Sequence, residues 1–252
     1  MLQKIAIVGG THGNEMSGIQ LVSNWIRHGI PGAFSDLDID CLFANTAAMD
    51  ANVRFLEEDL NRQFTPQKLS ASPTCLEARL AQQLNETLGP KGKSDFDLVI
   101  DIHNTTSSMG ATLIILEADE FHVQLARYVK HHMPEANVLV EDEKPPQEHP
   151  YLCTLGKRGL MIEVGAQPQG LLRADVYSLT EKMAEVILAF VQLYNQQAVP
   201  ALPSCDAFRF IENIQYPLDT EGHRLAMIHP QLQDRDFAEL DQGMPIFQHF
   251  DG

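Results

Sequence analysis

The chain has no closely paired cysteines, no long apolar run and few cations for its size. Its four cysteines, Cys41, Cys75, Cys153 and Cys205, are scattered without a CxxC pair. In 252 residues that usage reads as reduced thiols, mostly core, rather than a disulfide framework. The longest uninterrupted apolar run, residues 186–191, falls far short of the roughly 20 residues that cross a bilayer. The N-terminus runs straight into the apolar residues 5–8, without the charged region, long apolar stretch and cleavage site of a secretory signal. A cytoplasmic location and no membrane partner are the expectation. Lys and Arg number 18 against 34 Asp and Glu, a formal net charge of −16. So acidic a chain offers no broad positive field to displace counterions from a phosphate backbone, and nucleic acid is not an expected partner. The phosphate-cradling patterns GxGxxG and GxxxxGK[ST] are missing as well.

The apolar residues that are present alternate between two periods. Short β-branched runs at residues 5–8, 42–43, 96–102, 111–116, 138–140 and 160–164 read as strands. Between them, Met16, Ile19, Val22, Trp25 and Ile26 recur at helical spacing, as do Leu76, Leu80, Leu84 and Leu88. Further helices are expected at residues 123–130 and 174–194. Strands alternating with helices predict an α/β domain whose largely parallel sheet is covered by helices on both faces. Beyond Pro200 the chain is punctuated by Pro203, Pro217, Pro230 and Pro245. Short runs at residues 208–211 and 225–228 read there as a small, mostly β appendage. The expected division is therefore 1–199 and 200–252.

Chemistry-bearing residues gather at the ends of these strands. Gly9-Gly10-Thr11-His12-Gly13-Asn14-Glu15 joins the first strand to the first helix, where the glycines permit a sharp turn. His12 and Glu15 are three apart, so on a helical turn an imidazole and a carboxylate converge, two of the three protein ligands of a catalytic zinc. On its own this HxxE reads rather as a glycine-rich loop with a capping Glu. His103, in Asp101-Ile102-His103-Asn104, lies at another strand's carboxyl end and completes the ligand count. Strand alternation points Asp101 to the same face, where it can orient a ligand histidine.

Glu163 is the lone carboxylate in Leu160-Met161-Ile162-Glu163-Val164-Gly165. Burial beside a metal would raise its pKa toward the range of a general base, although a Glu turned outward at a strand end fits the sequence equally. Arg54, Asn61 and Arg62 sit on a loop after the second strand. An arginine there suits an oxyanion or a substrate carboxylate, but taken alone a surface salt-bridge network with Glu57, Glu58 and Asp59 is the better explanation.

These motifs, with Asp59-Leu60-Asn61-Arg62, Gln167-Pro168-Gln169-Gly170 and His229-Pro230-Gln231-Leu232-Gln233-Asp234, resemble the aspartoacylase family in order and over nearly the whole chain. The resemblance implies a zinc carboxypeptidase-like α/β domain, a C-terminal β-rich domain and hydrolysis of N-acyl amino acids. It implies His12, Glu15 and His103 as ligands of one Zn2+ per chain, and Glu163 as general base and proton shuttle. Arg54 would polarise the scissile carbonyl, Asn61 and Arg62 would bind the substrate carboxylate, and a homodimer is implied.

N-acetyl-L-aspartate is the leading substrate. A deacylase of N-acyl-aromatic amino acids, a desuccinylase, and a zinc-binding non-enzyme with an incomplete pocket are the alternatives. Two departures bear on the choice. Cys153 stands where aspartate-selective members carry a further arginine, as in the aromatic-preferring branch. The tail ends at Phe250-Asp251-Gly252, before the segment that bears a substrate-contacting tyrosine, and so reads as truncated.

Overall fold

A computed structural model describes residues 1–250. The tail end expected to be truncated, Asp251-Gly252, lies outside the described residues. β1 (Lys4–Gly9) leads through α1 (Met16–His28) to β2 (Asp38–Phe43). Two short helices, α2 (Thr46–Ala51) and α3 (Pro66–Ser70), and a longer one, α4 (Leu76–Leu88), precede β3 (Leu98–Asn104). β4 (Gly110–Ile115), α5 (Glu120–His132), β5 (Asn137–Val140), β6 (Gly159–Gly165) and α6 (Ala174–Asn195) follow. The tail holds β7 (Phe208–Arg209), β8 (Ala226–Ile228) and β9 (Phe247–His249).

Seven strands make one sheet in the order β2-β1-β3-β6-β4-β5-β7. Every neighbouring pair is parallel except β4 and β6. The central strands are mainly apolar because both faces are covered, and all seven residues of β3 are buried, the polar Asp101, His103 and Asn104 among them. On one face Leu21, Val22 and Trp25 of α1, Phe121 and Leu125 of α5, and Ile187 and Phe190 of α6 pack against Ile7, Ile100 and Ile162. On the other, Ala81, Leu84 and Leu88 of α4 pack with Leu60, Phe64, Leu152 and Leu155 against Val8 and Val99. Each such side chain, fully buried, contributes about 1.5–3 kcal/mol.

The chain leaves β1 for β2 on one side, then crosses to place β3 on the other. Such a reversal opens a crevice outside the strands' carboxyl ends, where open α/β sheets keep their sites. β1, β3 and β6 all end there.

Three local expectations need correction. The strand expected at residues 96–102 begins at Leu98 and continues through Asn104, so His103 is hydrogen-bonded into the sheet rather than lying beyond it. His12 and Glu15 do not share a helical turn. They occupy the turn before α1, whose N-cap is Glu15. The run at residues 208–211 was expected in the appendage, but β7 pairs with β5 and extends the main sheet. The rest of the tail has little regular structure besides the antiparallel pair of β8 and β9.

Candidate active site

The turn after β1 is tightly packed. Gly10 has φ 72°, a left-handed conformation that glycine adopts without strain. A Cβ on Gly13 would lie 2.1 Å from the backbone of Ala48, so only glycine lets the turn settle against α2. That packing aims His12 and Glu15 across the crevice at β3. His12 Nδ1 lies 2.7 Å from Glu15 Oε1, and His103 Nδ1 lies 2.9 Å from Glu15 Oε2. The two Nδ1 atoms are 3.2 Å apart. All three residues are buried.

The outer ring nitrogens are held by a second pair of carboxylates. Asp101 Oδ2 lies 2.8 Å from His103 Nε2, and Asp59 Oδ1 lies 3.0 Å from His12 Nε2. Thr11 Oγ1 donates to Asp101 Oδ1 at 2.7 Å and fixes that carboxylate in turn. A carboxylate at each Nε2 puts the proton there and leaves the Nδ1 lone pairs facing each other and Glu15. Two lone pairs and an anion at such distances repel unless a cation lies among them. His12, Glu15 and His103 therefore suit a metal ion, and imidazole with carboxylate is a donor set that zinc accepts.

The same surroundings would hold a proton at the His103 Nδ1 where no metal is bound. Burial opposes charge on His103, yet Asp101 and Glu15 outweigh it and hold the imidazole well above its usual range. Burial likewise opposes ionisation of Glu15, but His103 and His12 bring its carboxyl down to about 2. The site draws positive charge to itself.

Glu163 faces this group from β6, in register with His103 of β3. It is half-buried and lines a cavity of about 310 Å³ together with His12, Glu15 and Arg54. Burial pushes its carboxyl up to about 7, with Glu15 adding to the rise while His103, His12 and Arg54 oppose it. A carboxyl near 7 can both take and give a proton at neutral pH.

Arg54 takes part in the expected salt-bridge network only in part. Its Nη1 donates to Glu15 Oε1 at 3.0 Å, and its Nη2 to Asp59 Oδ2 at 3.3 Å. Glu57 and Glu58 bind Leu76 N and Gln63 instead. The guanidinium is thus pinned at the cavity's edge. Asn61 and Arg62 are not among the lining residues. Asn61 is buried behind His103, with Nδ2 3.4 Å from His103 Nε2 and Oδ1 accepting from Leu152 N at 2.8 Å. Arg62 is exposed, donates to the Asn61 carbonyl at 2.9 Å, and favours the ionised carboxylates of Asp59 and of Glu141, whose pKa burial raises above its usual value.

Cys153 lies in the core with Leu152 and Leu155, away from the cavity. Lys157 pairs with Asp97 at 2.8 Å, and Arg158 lies over the Phe121 ring, so neither reaches the site.

Sequence reasoning missed Asp59 as a partner of His12 and Glu141 as part of the cavity. Asp59 is one of three consecutive acids, and nothing local distinguishes it. Glu141 directly follows an apolar strand but opens the acidic run Glu141-Asp142-Glu143, so it lacks the isolation that drew attention to Glu163.

The succinylglutamate desuccinylase/aspartoacylase catalytic domain model matches residues 1–191, and the barrel-sandwich hybrid domain model of the same family matches residues 203–252. The chain belongs to this family. It is similar to an aspartoacylase of Danio rerio, 39% identical over 99% of this chain and 81% of that protein. It is equally similar to the N-acyl-aromatic-L-amino acid amidohydrolase (carboxylate-forming) of Homo sapiens, 40% identical over 100% and 81%. The crystal structure of murine aminoacylase 3 superposes with a TM-score of 0.89 at 35% identity, covering 100% of this chain and 84% of that one. The family's α/β domain with a C-terminal β unit is the fold found here.

Proposed function

We propose that this member of the desuccinylase/aspartoacylase family hydrolyses N-acyl amino acids to a carboxylic acid and a free amino acid, using one Zn2+ held by His12, Glu15 and His103. One observation carries the reading. Two imidazole Nδ1 atoms 3.2 Å apart share a carboxylate, and each ring's other nitrogen is already occupied by a carboxylate of its own. Zinc, when bound, supplies a Lewis acid that lowers the pKa of its water to about 7.

The chain's own residues do the rest. Glu163 accepts the proton of the attacking water and then delivers it to the leaving amide nitrogen, which departs as an amine. Its raised pKa suits both halves of that transfer. Arg54, fixed by Glu15 and Asp59, presents its guanidinium to the oxyanion that forms on the acyl carbonyl, a contribution worth about 3–4 kcal/mol for a well-placed donor. Arg62 takes the substrate carboxylate, and Asn61 supports it through its backbone carbonyl. The division at residues 199/200 separates this machinery from the C-terminal unit.

Four free thiols, and no helix among the described residues long and apolar enough to cross a membrane, accord with work in the cytoplasm. A homodimer is part of the same reading, and sedimentation of the purified chain tests it. The activity is tested by giving zinc-loaded protein N-acetyl-aspartate, N-acetyl-phenylalanine and a short peptide. The expected outcome is release of a free amino acid from at least one N-acyl substrate and no peptide cleavage. A protein that cleaves neither N-acyl substrate contradicts the reading.

A further inference from the structure

Beyond Glu163 the cavity has a second wall, built from Met109 just before β4, the C-terminal half of β4 and the end of β5. Met109, Ile114 and Leu139 give it an apolar surface, and Glu141, the residue after β5, adds a carboxylate. Tyr151 Oη donates to Glu141 Oε2 at 3.0 Å, and the Arg62 guanidinium carbon stands 5.4 Å from the centre of the Tyr151 ring. Glu141 is thus fixed in place at the cavity. The chemistry assigned above leaves it unused. Glu163 handles the proton, and Glu15 faces the histidines.

The charges lining the cavity are unequal. Glu15, Glu141 and Glu163 face one cationic side chain, Arg54, which already pairs with Glu15 and Asp59. An N-acyl amino acid brings one carboxylate, which Arg62 meets while Arg54 serves the oxyanion. A second carboxylate on the side chain would meet Glu141 and no unpaired arginine.

From this we infer that Glu141 is the selectivity residue of the site: it repels N-acyl amino acids with an anionic side chain, while Met109, Ile114 and Leu139 accept a neutral, apolar one. The inference rests on the hydrolase reading above and specifies its substrate class. Selectivity of this kind comes from an unfavourable contact with the wrong substrate as much as from a good contact with the right one. Even on the order of 10 Å apart, two like charges in a partly screened cavity separate the substrates by roughly tenfold.

The test is the ratio of kcat/KM for N-acetyl-phenylalanine to that for N-acetyl-aspartate, measured on the zinc-loaded full chain, on Glu141→Gln and on Glu141→Leu. Melting curves establish that each variant is folded. The expected results are a wild-type ratio above about tenfold, and a ratio at least fivefold smaller in both variants, mainly through KM for N-acetyl-aspartate. A wild-type preference for N-acetyl-aspartate overturns the inference. So does an unchanged ratio in folded Glu141→Gln, including the case where Glu141→Leu alone shifts it, because shape rather than charge would then govern. In these cases hydrolysis itself persists and the proposed function stands. Cleavage of neither substrate by wild type defeats both.

Discussion

His12 and His122 start from the same local pattern, a buried histidine three residues from an acid whose carboxylate meets its Nδ1. The distances are 2.7 Å for His12 with Glu15 and 2.5 Å for His122 with Asp119. A third group approaches each: His103 in the first case, Glu117 at 3.9 Å in the second. The two clusters nevertheless differ in kind. Around His12 the acids are largely sequestered, with Glu15 only 3% exposed and Asp59 19%. Around His122 the acids are at the surface, Glu117 at 38% and Asp119 at 40%. Asp119 also has a structural task, since its Oδ1 accepts His122 N at 2.9 Å and caps α5. His122 Nε2 has no partner, whereas His12 and His103 each have a carboxylate at that nitrogen. A histidine beside an acid thus closes a helix end in one place and orients a metal ligand in the other. The deciding feature is what holds the outer nitrogen, together with a cavity that contains Glu163.

Substitutions can break this comparison. The largest effect is expected for His103→Ala: bound zinc falls from one per chain to a small fraction, and hydrolysis is abolished. Metal analysis after dialysis checks it, with His122→Ala as the variant that keeps its zinc. A pH profile comes next. Glu163 must be deprotonated to accept the water's proton, so with its pKa raised to about 7, kcat/KM should fall as pH drops below about 7, approaching tenfold per unit. A profile flat down to pH 5 would contradict that role. Asp101→Asn and Asp59→Asn should each weaken zinc binding by about 10–100-fold in competition with a chelator, because each loosens one histidine. The smallest effect belongs to the other cluster. Asp119→Ala should cost about 1 kcal/mol in chemical denaturation through loss of the α5 cap, with zinc content unchanged.

The sequence made the triad legible because its members sit next to strong signals. His12 and Glu15 follow a double glycine after a strand, and His103 and Glu163 interrupt strands that are otherwise apolar. Their convergence could only be inferred, since it depends on β1, β3 and β6 lying side by side, a matter of long-range pairing. Glu77 shows what stayed hidden. It falls in the first turn of an amphipathic helix, where an acid is unremarkable. In the fold it is buried and accepts the backbone N–H groups of Leu56, Glu57 and Glu58, holding the loop that carries Arg54 and Asp59. That arrangement needs the loop to fold back over α4, and no local pattern encodes it. Cys153 is the opposite case. Ten residues before Glu163 in sequence, it suggested a place in the substrate pocket, but the turn of 3-10 helix that bears it points it into the core. The join of β7 to the sheet was hidden for another reason, as two residues are too few to show a period.

The central claim is a division of labour, in which His12, Glu15 and His103 hold the metal and Glu163 moves the proton. Glu163→Gln tests it most directly, with zinc content and the rate of N-acyl amino acid hydrolysis measured on the same preparation. The account predicts one zinc per chain, as in wild type, and turnover at least about 100-fold lower. Turnover within a few-fold of wild type, with zinc bound, would contradict it.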